Sequence, residues 1–68
     1  MVIEDADPMT YYLAQHSRTG YVWVTYHATR SLAQARQAVD ADERDWAHHR
    51  VLDVRTGKVH QIRRPGWQ

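Results

Sequence analysis

The sequence predicts an α+β fold: one small two-layer domain of order ββαββ, in which a four-stranded, mainly antiparallel sheet carries one helix packed on one face. Three observations predict it. A capped amphipathic helix begins near the middle of the chain, at Ser31. Two runs rich in aromatic and β-branched residues precede it, separated by Ser17-Arg-Thr-Gly20. Two more alternating runs follow it, separated by Thr56-Gly57. Helical periodicity between two hairpin patterns gives a sheet with a single helix to cover it.

In chain order, residues 1–8 are acidic, end in Pro8 and show neither period, so they read as a flexible leader. Met9 is an alternative start. The ββαββ domain is placed at 9–63 and a C-terminal tail at 64–68, where Pro65 and Gly66 end the last strand. The first hairpin joins Thr10–His16 to Gly20–His27. In its second strand Val22, Val24 and Tyr26 alternate with Tyr21, Trp23, Thr25 and His27, and the Val/Val/Tyr set is assigned to the helix side.

Ser31 and Gln34 have the spacing of a capping box. Leu32, Ala35, Ala38 and Val39 then recur by threes and fours, which sets one apolar stripe along the helix. Its end is expected near Glu43. Trp46 lies on the continuation of that stripe and is expected to close the end of the core. The second hairpin runs from Val51–Arg55 to Lys58–Arg63. Leu52 and Val54 share a face, whereas Val59 and Ile62 have opposite parity, so one points away or a bulge intervenes. The expected core is Leu13, Val22, Val24, Tyr26, Leu32, Ala35, Val39, Leu52, Val54 and Ile62. Central pairing of the first and third strands gives the order 2-1-3-4, antiparallel throughout.

Composition narrows the function. The 68 residues suffice for one modest domain, with a formal net charge of +1. That balance does not announce nucleic acid. No cysteine is present, which removes disulfides and thiolate metal sites and suits a reducing cytoplasm. No apolar run has the length of a membrane span, and no signal-peptide plan opens the chain. Eight arginines against one lysine, with eight alanines and neither phenylalanine nor asparagine, point to a GC-rich coding source.

The strand Tyr11-Tyr-Leu-Ala-Gln15, the aromatic second strand, Ser31-Leu-Ala-Gln-Ala35 and Arg50-Val-Leu-Asp-Val-Arg-Thr-Gly-Lys-Val59 carry a resemblance. Over Tyr11 to Ile62 the chain resembles small uncharacterised phage and prophage proteins with a strand–helix–"R-V-x-D-x-x-T-G-x-V" plan. The resemblance implies a phage or mobile-element accessory protein, anti-defence inhibitors included. It assigns no residue roles.

Four constellations bear on chemistry. The sheet face left open by the helix is expected to show Tyr21, Trp23 and Tyr11 beside His27, Arg55 and Arg63. Aromatics among cations serve protein contact, base stacking or plain cross-strand pairing. Lys58, Arg63, Arg64 and Trp67 form a basic end that could meet phosphate but reads first as a solvated tail. His48 and His49 face opposite ways in a strand, and no histidine spacing promises a metal, so all five histidines are expected at the surface. Asp40, Asp42, Glu43 and Asp45 read as a solvated helix end, with phosphate mimicry and acid–base work behind.

No triad is visible and no cofactor is expected, so the chain is read as a non-enzyme. The leading reading is a protein-binding module that inhibits or adapts a larger host protein through Tyr11, Tyr21, Trp23, Arg55, Arg63 and Arg64. The rival is a nucleic-acid-binding domain using the same face, and a homodimer is a third possibility.

Overall fold

The structure, a computed structural model, describes residues 11–66. β1 (Tyr12–Ser17), β2 (Val24–Thr29), α1 (Leu32–Ala41), β3 (His48–Asp53) and β4 (Val59–Arg63) follow one another in the ββαββ order. The strands form one sheet, β2-β1-β3-β4, and every neighbouring pair is antiparallel. The central pair is β1 and β3, as the hairpin pattern predicts. The leader expected at 1–8, Met9 and Trp67 lie outside the described residues.

The limits of three elements, β2, α1 and β3, differ most from the sequence reading. β2 begins at Val24 because residues 18–23 form the hairpin loop. Gly20 N–H donates to Ser17 Oγ at 2.8 Å and Tyr21 N–H to Thr19 Oγ1 at 3.1 Å. Side-chain oxygens thus take the donors that a longer ladder would need. α1 ends at Ala41, short of Glu43. Asp42 is extended there, and its carboxylate accepts the Arg44 backbone N–H at 2.8 Å, a local turn that competes with another helical residue. β3 begins at His48 and ends at Asp53. Asp53 Oδ1 accepts from Arg55 N–H at 2.9 Å, and Gly57, with φ 77°, returns its N–H to the Asp53 carbonyl at 2.7 Å. The turn is therefore wider than Thr56-Gly57 alone.

Half of the expected capping box forms. Ser31 Oγ accepts Gln34 N–H at 3.2 Å. The reciprocal arm is replaced: Ser31 N–H donates to Thr29 Oγ1 at 3.1 Å, and the Thr29 hydroxyl donates to Gln34 Oε1 at 2.9 Å.

The new limits of β3, with the parity of β1, change which residues are buried. Ala14, Ala35, Val39 and Val51 are sealed, with Tyr12, Tyr26, Leu32 and Ala38 packed around them. Register pairs Ala14 with Val51 and Leu13 with Leu52, so Leu13 and Leu52, both expected in the core, lie on the face away from the helix. Val22, Val24, Val54 and Ile62, also expected inside, are exposed. A one-residue shift of register exchanges the two faces of a strand, and here the smaller residues face inward. Alanines at 14 and 35 let the helix lie close to the sheet.

The edge strands each carry an irregularity. The β1–β2 register shifts between Ala14 and Gln15, which makes Tyr26 the extra residue of β2. The β3–β4 register shifts between Val51 and Leu52, which makes His60 the extra residue of β4. The bulge, the second of the expected alternatives, brings Val59 and Ile62 onto one face.

Candidate functional site

The register leaves Gln15 of β1, Thr25 of β2, His48, Arg50 and Leu52 of β3, and Val59 and Ile62 of β4 on the side without a helix. A polar chain crosses this open face. Arg50 Nε donates to Gln15 Oε1 at 2.7 Å, and Gln15 Nε2 donates to Thr25 Oγ1 at 3.0 Å. The Arg50 guanidinium lies 4.2 Å from the centre of the Trp23 ring. Three strands and the hairpin loop therefore hold one indole in place. Burial lowers the pKa of Arg50 from its ordinary value, as expected for a partly desolvated guanidinium.

A groove of about 290 Å³ opens beside this stack, walled by Tyr21, Trp23, His48, Arg50, Ile62 and Arg64 among others. Tyr21 is 88% exposed and Ile62 57% exposed. Gly20 shapes the wall. Its φ of 89° suits glycine, and a Cβ there would stand 3.4 Å from the His48 ring.

Of the residues singled out from sequence, Tyr21, Trp23 and Arg64 meet at this groove. Tyr11 is partly exposed with Arg30 over its ring at 5.5 Å, and it does not line the groove. Arg55 stands in the β3–β4 turn. Arg63 faces the helix instead: its Nη1 donates to the Val39 carbonyl at 2.6 Å, and its other amino group pairs with Asp45. His27 is exposed on β2. Sequence reasoning missed Gln15, Thr25, His48, Arg50 and Ile62. The available signal was the alternation His48/Arg50/Leu52, hidden once residues 45–50 are read as a connector.

Behind the sheet, the histidine expectation needs correction. His49 is fully buried. Its Nε2 lies 2.9 Å from the Arg44 carbonyl, which only accepts, so that nitrogen carries the proton. Nδ1 then accepts the Tyr26 hydroxyl at 3.2 Å. Burial, then the Asp42 charge, pushes the Tyr26 pKa up to about 12, which keeps that hydroxyl a donor. His16 stands beside this pair with ring centres 5.4 Å from Tyr26 and 6.3 Å from His49. Trp46, expected to close the end of the core, stands edge-on to His16 and under Arg18 at 5.0 Å, in the loop after α1 and half exposed.

The carboxylates behind the sheet are largely engaged. Asp42 pairs with Arg44, Asp45 with Arg63, and Asp40 accepts Gln61 Nε2 at 2.7 Å. Gly66 N–H donates to the Asp45 carbonyl at 3.0 Å, which joins the start of the expected tail to this loop. No cluster of three or more metal-binding side chains occurs among the described residues. No helix there is long and apolar enough to cross a membrane. Comparison with protein-family models, curated proteins and solved structures finds no match to this chain.

Proposed function

We propose that the chain is a small cytoplasmic protein-binding module, an inhibitor or adaptor of the phage or mobile-element kind, whose open sheet face occupies a surface of a larger host protein. The observation that carries this reading is Trp23, held by the Arg50–Gln15–Thr25 chain beside an exposed Tyr21 and Ile62. A rigid aromatic anchor with arginine at its side and apolar side chains around it is the composition of a binding hot spot.

The rival reading, nucleic acid on the same face, draws support from His48, Arg50 and Arg64 around an indole. Charge use weighs against it. Arg18, Arg30 and Arg44 lie over other aromatic rings, and Arg63 is held by Val39 and Asp45. A phosphate backbone needs several cations in a row, and this face offers few.

The test is affinity capture by the tagged chain from a high-GC bacterial lysate, with and without nuclease, using wild type, Trp23→Ala and Tyr21→Ala. The expected result is a stoichiometric protein that survives nuclease and is lost with both variants, whose circular dichroism stays unchanged. Equal capture by the variants contradicts the open-face reading. Recovery that disappears with nuclease or raised salt moves nucleic acid ahead.

A further inference from the structure

The partner's chemistry can be read one step further, an inference that rests on the open-face reading above. The five described carboxylates, Asp40, Asp42, Glu43, Asp45 and Asp53, are all absent from the groove lining. Three of them are ion-paired or hydrogen-bonded to side chains behind the sheet, and Asp53 caps the β3–β4 turn. The groove has the opposite character. Arg50 is fixed by one nitrogen and by its stack on Trp23, while its two terminal nitrogens make no hydrogen bond among the described residues. Arg64 has no side-chain partner among the described residues. Tyr21, Val59 and Ile62 add exposed apolar surface beside these cations.

A guanidinium held in one plane, with terminal N–H groups that no described residue takes up, is preorganised for a carboxylate, because the orientation entropy is already removed before binding. Partial burial strengthens such a pair relative to one at an open surface. The apolar walls need matching apolar groups on the ligand, which distinguishes a peptide from a polyphosphate chain.

We propose that the groove receives an acidic, apolar-flanked peptide segment of the partner protein. One carboxylate sits at Arg50 and Arg64 within reach of the His48 imidazole, and its apolar neighbours lie on Tyr21, Trp23 and Ile62. Charge also orients the approach: the groove carries cations and no carboxylate, while the helix-end carboxylates lie behind the sheet.

The test is selection of displayed random dodecapeptides on the immobilised full chain at physiological salt. Enriched peptides are then synthesised and measured by fluorescence polarisation. The expected peptides combine aspartate or glutamate with large apolar residues and lose binding to Trp23→Ala. Arg64→Glu, a surface change that leaves the fold intact, should weaken them by at least about tenfold, with recovery when the peptide's acidic residue becomes lysine. Enriched peptides that need Trp23 but carry no acid overturn this inference and leave open-face docking standing. Acidic peptides held equally by Trp23→Ala overturn both. An oligothymidylate that binds more tightly than any peptide, or the absence of enrichment, also overturns it.

Discussion

His49 is a fully buried imidazole with both nitrogens committed, one to the Arg44 carbonyl and one to the Tyr26 hydroxyl. His49→Leu removes both bonds and strands both partners, so it should cost about 2–6 kcal/mol at roughly 1–3 kcal/mol for each buried group left without a hydrogen bond. Urea unfolding at neutral pH measures this as a lower midpoint. The helix cap offers a second residue-scale check. Ser31→Ala removes an N-cap acceptor and should cost about 1 kcal/mol, whereas Gln34→Ala should cost less than about 0.5 kcal/mol, because its side chain does not close the box. Ser31 was legible from its spacing to Gln34. The burial of His49 was not, because adjacent histidines carry no hydrophobic signal and become interior only once the start of β3 is known.

At the scale of elements, the helix and β4 are linked by polar contacts rather than by the apolar core. Gln61 reaches Asp40, and Arg63 reaches both the Val39 carbonyl at the end of α1 and Asp45 beyond it. Arg63→Ala should therefore lower stability by about 1–2 kcal/mol, nearly all from the bond to Val39, since Asp45 is largely solvated. Native-state hydrogen exchange should show the loss first in β4 and residues 42–47, with β1 still protected. The element pattern explains why the fold was legible and the faces were not. Capping, helical spacing and glycine turns mark where elements fall, and strand order followed from them. Face assignment depends on a parity that one residue reverses. Reading β3 from Val51 made Leu52 and Val54 the inner pair, whereas the strand from His48 turns His49, Val51 and Asp53 inward. Arg50 thereby moved from a connector to the centre of the candidate site.

For the whole molecule, acid stability should fall in two stages. Burial, then the charge of Arg44, lowers the pKa of His16 from 6.5, against the pull of Asp42. Its Nδ1 is buried without a hydrogen-bond partner among the described residues, so none of them offers an acceptor for a proton there. The unfolded chain takes up that proton at 6.5 and the folded chain only at lower pH; stability is therefore full above 6.5 and declines below it. His16→Gln should flatten this first stage in a series of thermal melts. The second stage belongs to Asp42 and Asp53. Burial alone would raise both, but hydrogen bonds and charge from Arg44 outweigh it at Asp42, and backbone N–H groups of Arg55 and Thr56 outweigh it at Asp53. Both pKa values lie below 3.8, so their stabilisation is complete above that pH and is lost as pH falls through the lowered values. The same distribution of charge gives the molecule two unlike sides, a carboxylate-bearing helix side and a sheet face of arginine, aromatic and apolar groups. Amide chemical-shift mapping of the labelled full chain with its strongest displayed peptide tests that division most directly. The account predicts shifts at Gln15, Trp23, His48, Arg50 and Ile62, with α1 unperturbed. Shifts confined to α1 and residues 42–47 would contradict it.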